Sequence, residues 1–149
     1  MDIGDVNDPI AKPWLKYDSK YSPLDMMKEM GFAAAVKFVT ATSLDYFASC
    51  KQTYDIIFLD GSHAATAVYQ EIPVALQLLN QDGLILLHDY FPNLKPLWSN
   101  GSLVPGPFLA TERLKNEGSN LVVLPLGKLP WPTKMHSNIT SLALLLRNG

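Results

Sequence analysis

Two short polar segments stand directly after apolar runs in this 149-residue chain: Asp60-Gly61-Ser62-His63 follows Ile56 to Leu59, and His88-Asp89-Tyr90 follows Leu84 to Leu87. Together they hold two carboxylates and two of the chain's three histidines. In an open parallel sheet, ligands gather beyond the carboxyl ends of the strands, so both segments would share one functional edge. Imidazole titrates near neutral pH and can take a proton from a reacting hydroxyl, and oxygen ligands such as paired carboxylates suit a divalent cation. Plain structural roles are open to the same residues. An aspartate after a strand often caps the next helix, and Ser62 could do so too. A metal-dependent hydrolase built on Asp60, His63, His88 and Asp89 is permitted by residue type, but no His-x-x-x-His or Cys-x-x-Cys supplies a local ligand pair. Gly61-Ser62-His63 lacks the flanking glycines of a nucleophilic serine elbow.

The elements that must position these residues can be read from the apolar pattern. Val36 to Thr40, Ile56 to Leu59, Leu84 to Leu87, Leu121 to Leu124 and Leu142 to Leu146 read as strands. None alternates polar with apolar, which predicts strands buried on both faces of a mostly parallel sheet. Val68, Ile72, Ala75, Leu76 and Leu79 recur at helical spacing, and Gln81-Asp82-Gly83 then carries turn chemistry, so the segment between the second and third strands reads as a βαβ crossover. Pro73 predicts a kink or restart within that helix. Further helices are expected from Pro23 to Met30, closed by Gly31, from Leu44 to Ser49, and from Phe108 to Glu117. The alternation predicts an α/β fold, Rossmann-like, with helices on both faces of the sheet. One domain is expected over 1–149, with an irregular segment and a short helix in 1–30 and the sheet core in 31–149. Two stretches, Tyr90 to Pro107 and Gly127 to Ser141, read as long binding loops or lids.

Composition narrows the function classes. With 48% hydrophobic and 17% charged residues the chain is an ordinary globular one, and 12 Lys+Arg against 14 Asp+Glu leave no basic stripe for nucleic acid or an anionic membrane. No apolar run reaches the roughly 20 residues of a spanning helix, and the start lacks signal-peptide order. A cytoplasmic protein is therefore expected. A single cysteine, Cys50, cannot form an internal disulfide and reads as a packing residue. The N-x-S/T triplets at Asn100 and Asn138 carry no weight without secretion.

The segment Tyr54-Asp55-Ile56-Ile57-Phe58-Leu59-Asp60-Gly61-Ser62-His63, a helix, and then Gly83-Leu84-Ile85-Leu86-Leu87-His88-Asp89-Tyr90 resembles the second half of a class I S-adenosylmethionine-dependent methyltransferase, in the branch with a DGxH and HD pattern. The resemblance covers about Val36 to the C-terminus. It implies that the five runs are the third to seventh strands of a sheet ordered 3-2-1-4-5-7-6. The last strand would be antiparallel and reached through the Gly127 to Ser141 loop on the ligand side. The family's glycine-rich turn after its first strand has no counterpart here, so an N-terminally truncated domain is expected. Asp2, with Asp5 second, matches the acid that accepts from the ribose hydroxyls. Without strands one and two, Val36 to Thr40 is expected to close directly against Ile56 to Leu59, since unpaired buried backbone is costly.

The resemblance further implies residue roles. Thr42 and Ser43 match the border of the adenine, and Asp60, Gly61 and Ser62 the wall beside the methyl group. His63 or His88 would take the acceptor's proton beside Asp89, while Asp60 and Asp89 match the places where some related O-methyltransferases hold Mg²⁺. Trp131, Lys134 and His136 are candidates for substrate contact. The activity implied is methylation of oxygen on a small molecule or sugar. A second reading is a non-catalytic interaction domain that keeps the fold, favoured by the missing glycine turn. Apolar surface left by absent strands makes self-association an expectation.

Overall fold

Local turn chemistry builds the first part of the chain. The computed structural model describes residues 4–133 and 137–148, and the chain divides into two compact units, 1–46 and 47–149. In the first unit a 3₁₀ helix, Pro13–Tyr17, precedes α1, Pro23–Glu29. The buried Ser22 hydroxyl accepts the Asp25 backbone N–H at 3.1 Å and donates to the Asp25 carboxylate at 2.8 Å, while Pro23 supplies a pre-set first helical residue. Asn7 Oδ1 takes the Leu24 N–H at 2.7 Å. Gly31, at φ +76°, terminates the helix where a side chain would be strained. Among the described residues of this unit no large hydrophobic side chain is buried. The helix α2, Ser43–Ser49, crosses the boundary between the units.

The strand expected at 36–40 does not form. The stretch is extended with a single bridge residue at Thr40, and Val36 and Phe38 are exposed. An apolar run becomes a strand only when another backbone pairs with it. Among the described residues β1, Tyr54–Leu59, pairs with β2, Leu79–Leu87, alone. The expected closure of 36–40 onto Ile56 to Leu59 is thereby overturned, and the sheet begins at Tyr54 rather than near residue 31.

In the second unit α3, Ala65–Gln77, links β1 to β2 as a parallel crossover, followed by α4, Gly106–Asn116, β3, Leu121–Pro125, and β4, Ala143–Arg147. The sheet order is β1-β2-β4-β3, with β4 antiparallel to both neighbours. The α/β, Rossmann-like fold and its antiparallel last strand are thus present. Burial alternates along the strands, against the expectation of strands enclosed on both sides. Leu59, Ile85, Leu87, Ala143 and Leu145 are buried, whereas Ile56 and Phe58 are 64% and 54% exposed. The buried face meets α3 through Val68, Ile72 and Ala75 and α4 through Ala110 and Leu114. Two paired helices cover this one face.

Two local expectations also change. α3 runs through Pro73 as one helix, without a restart. The apolar stripe on its buried face outweighs the one backbone bond that proline removes. Gln81-Asp82-Gly83 is not a turn but part of β2, where the register jumps between Tyr54↔Leu79 and Ile56↔Leu84. Such an irregularity brings backbones close, and a Cβ on Gly83 would lie 2.9 Å from the Tyr54 carbonyl. The Arg147 guanidinium donates to the Leu79 and Asn80 carbonyls, and Asn80 Nδ2 to Asp55 Oδ1 at 2.6 Å, which ties this polar start of β2 into the sheet.

The expected loops carry structure. A 3₁₀ turn, Pro92–Leu94, opens 90–105, where Phe91 meets Trp98 edge to face. The connection 127–141 extends the β3–β4 hairpin: Lys128 bridges Ile139, and Thr140 N–H donates to the Gly127 carbonyl at 2.9 Å. Among the described residues no helix is long and apolar enough to cross a membrane.

Candidate functional site

The carboxyl ends of β1 and β2 deliver one cluster. The parallel pairing ends with Leu59↔Leu87, and the His88 N–H donates to the Leu59 carbonyl at 3.0 Å, so the two polar segments leave the sheet side by side. Asp60 Oδ1 lies 2.8 Å from His88 Nδ1 and 3.5 Å from His63 Nε2. Asp89 Oδ2 lies 3.5 Å from His63 Nδ1, and Asp89 Oδ1 lies 3.4 Å from His88 Nδ1. All four side chains singled out in the sequence are therefore in mutual reach. His88 Nδ1 is buried and has no hydrogen-bond partner: although Asp60 Oδ1 is close, it lies off the ring's N–H direction.

The capping explanation of these residues does not hold. Asp60 lies against His63 and His88, and α3, whose N-cap is Ala64, has no side-chain cap. Ser62 Oγ accepts the Ala64 N–H at 3.4 Å. Asp89 sits at φ 53°, a left-handed conformation that Asp tolerates better than most residues. Its carboxylate accepts from Ser141 Oγ at 3.2 Å, and the next residue's N–H donates to the Ser141 carbonyl at 2.7 Å. The base of the 127–141 hairpin thus fixes Asp89 from 52 residues away.

The remaining site residues fall elsewhere. Thr42 Oγ1 accepts the Asp45 N–H at 3.1 Å and donates to Asp45 Oδ2 at 2.6 Å, which closes the first turn of α2. Thr42 and Ser43 belong to the first unit, whereas Asp60 to His63 and His88 to Tyr90 belong to the second. Asp2, Lys134 and His136 lie outside the described residues. Trp131 is 60% exposed.

Three residues that sequence reasoning missed complete the surroundings. Glu71, buried on α3, lines a narrow cleft below the cluster with Leu59, His63, His88 and Pro107. Ser141 holds Asp89 as described. Gly106 opens α4 so close to the loop that a Cβ there would stand 1.8 Å from the His63 carbonyl. Beside the cluster, burial raises the pKa of the Tyr90 phenol, so the ring stays neutral against Phe108.

A family model described as a methyltransferase domain matches residues 12–90, more than half of the chain. The chain belongs to that methyltransferase family. Among solved structures, cofactor-bound Rv0187 from MTB is similar in fold, with a TM-score of 0.55 at 16% identity, over 99% of this chain and 71% of that one. No curated protein matches the chain.

Proposed function

We propose that the chain is a methyltransferase that uses S-adenosylmethionine to methylate a hydroxyl oxygen of a small molecule or sugar. The observation that carries this reading is the meeting of two imidazoles and two carboxylates at the strand ends of a chain from a methyltransferase family. The bound cofactor would supply a methyl group on a sulfonium, ready for transfer to a nucleophile. Asp60, Gly61 and Ser62 are exposed, and a Cβ built on Gly61 meets nothing within 4 Å, so this rim is free for close approach of the methyl end.

In the metal-free chain His63 is the preferred base. Its side chain is 38% exposed against 22% for His88, so an acceptor hydroxyl reaches it more readily. A proton taken from that hydroxyl would leave an imidazolium between Asp60 and Asp89, each 3.5 Å away, which stabilises the charge as it forms. The Mg²⁺ implied by the family resemblance fits poorly here. Magnesium demands oxygen ligands in a near-ideal octahedron, whereas both Asp60 and Asp89 are shadowed by imidazole nitrogens. No step is assigned to it.

Calorimetric titration of S-adenosylhomocysteine into the full chain tests the reading, beside Asp60→Ala and His63→Gln. Binding that weakens at least tenfold in Asp60→Ala, and persists in His63→Gln while methyl transfer falls by about 10²-fold or more, is the expected result. No binding by the folded parent chain would overturn it.

A further inference from the structure

We infer that Asp60, His63 and His88 form a site for a nitrogen-accepting divalent ion of the zinc class, with Asp89 as the carboxylate that orients His63. One donor atom from each of the first three lies within 4.8 Å of the others. Donors about 2.0–2.1 Å from a tetrahedral zinc stand about 3.3 Å apart. The Asp60 Oδ1 to His63 Nε2 separation of 3.5 Å fits that spacing closely, whereas Asp60 Oδ1 and His88 Nδ1, at 2.8 Å, must open by about half an ångström when the ion enters.

The orientation of His88 separates this reading from an ordinary hydrogen-bonded cluster. Its Nδ1 is buried, 2.8 Å from a carboxylate oxygen, and yet unpaired because the ring's in-plane direction misses that oxygen. A buried nitrogen left unsatisfied is costly. Two ligands of one ion show this relation as a matter of course, because both lone pairs point at the ion and not at each other. Filling the site would satisfy the nitrogen that the protein leaves bare.

The second carboxylate has the complementary place. With His63 Nε2 given to the ion, its Nδ1 lies 3.5 Å from Asp89 Oδ2, and Asp89 is itself held by Ser141. Metal-bound histidines commonly donate their other nitrogen to a carboxylate in this way, which fixes the tautomer. Three protein ligands leave one position open for water or substrate oxygen. The donor set of one carboxylate and two imidazoles favours zinc and its transition-metal neighbours over magnesium, whose preference is all oxygen. With zinc bound, His63 Nε2 is a ligand and no longer the base, and the open position would lower the pKa of an acceptor hydroxyl instead; the assignment is tested by metal binding and not by activity.

The experiment uses the full chain after dialysis against a chelator, with Zn²⁺ alone titrated against a competing chromophoric chelator, Mg²⁺ as the rival, and Co²⁺ as the spectroscopic stand-in for zinc. One Zn²⁺ per chain is expected, bound at least about 100-fold more tightly than Mg²⁺, with the strong visible absorption of low-coordinate cobalt. His88→Ala and Asp60→Ala should each weaken Zn²⁺ binding at least tenfold. His63→Gln provides the same readout should either variant fail to fold by circular dichroism, and His136→Ala controls for the remaining histidine. Asp89→Asn should weaken binding by about 10-fold or more through His63. Magnesium binding as tightly as zinc, zinc binding unmoved by the His63 and His88 variants, or loss confined to His136→Ala would each overturn the assignment.

Discussion

A Cβ on Gly106 would stand 1.8 Å from the carbonyl oxygen of His63 and 2.9 Å from the backbone nitrogen of Ala65. The first residue of α4 is therefore glycine for reasons of space: it lets the helix abut the segment that carries His63. Backbone cannot rotate away as a flexible side chain can, so Gly106→Ala must push the segment or the helix. Overpacking of this kind costs about 1–3 kcal/mol. Thermal unfolding should show the loss, and an unchanged midpoint would mean that α4 does not press on His63 in solution.

The same contact marks the boundary of what the amino-acid order reveals. Asp60, His63, His88 and Asp89 were legible because each follows an apolar run, and the parallel pairing of those runs carries them to one edge. Gly106 and Ser141 were not, because their meaning lies in contacts with His63 and Asp89 more than 40 residues away in sequence. Glu71 falls in the 68, 71, 72, 75 stripe of α3, a spacing that places it on the buried face although its type speaks for the surface. The strand expected at 36–40 fails for the converse reason: apolar, extended residues lack any local signal that a partner is missing. The polar start of β2 is held by Arg147 and by the Asn80–Asp55 bond, so no local apolar pattern announces it.

The two faces of the sheet should respond differently to truncation. Ile85 is fully buried between β1 and β4, whereas Ile56, on the other face of β1, is 64% exposed. Ile85→Ala leaves a cavity under α3 and should cost about 2–5 kcal/mol. Ile56→Ala should cost less than about 1 kcal/mol. Denaturant unfolding of the two variants checks this contrast, and a large loss from Ile56→Ala would show that this face is covered in solution.

A clasp between α3 and α4 carries the pH dependence. Tyr69 donates to Glu117 Oε2 at 2.5 Å and Arg113 Nε to Glu117 Oε1 at 2.8 Å, with the guanidinium 4.5 Å from the Tyr69 ring centroid. The Tyr69 hydrogen bond, then that from Arg113, lowers the Glu117 pKa below its ordinary 4.5. A depressed carboxylate pKa means stabilisation that is present above the unfolded value and lost as pH falls through the folded one. The thermal midpoint of the parent should exceed that of Glu117→Gln near neutral pH, and the gap should close as pH drops below 4.5. A gap that persists at pH about 2 would remove the ionised carboxylate from the explanation.

Asp89 combines two constraints that substitution can separate. Its backbone lies at φ 53°, and its carboxylate accepts from Ser141 Oγ at 3.2 Å. Alanine and glycine both delete the carboxylate, but only alanine brings a Cβ into the left-handed region, at a cost of about 1–2 kcal/mol. Asp89→Gly loses more unfolded-state entropy on folding, which offsets part of that difference. Asp89→Gly should therefore equal or exceed Asp89→Ala in stability, where an ordinary extended residue would show alanine ahead by about 0.5–1 kcal/mol. Chemical denaturation of the pair measures this directly. Alanine ahead by that ordinary margin would mean that residue 89 leaves the left-handed conformation in solution, and with it the geometry that holds the carboxylate against His63.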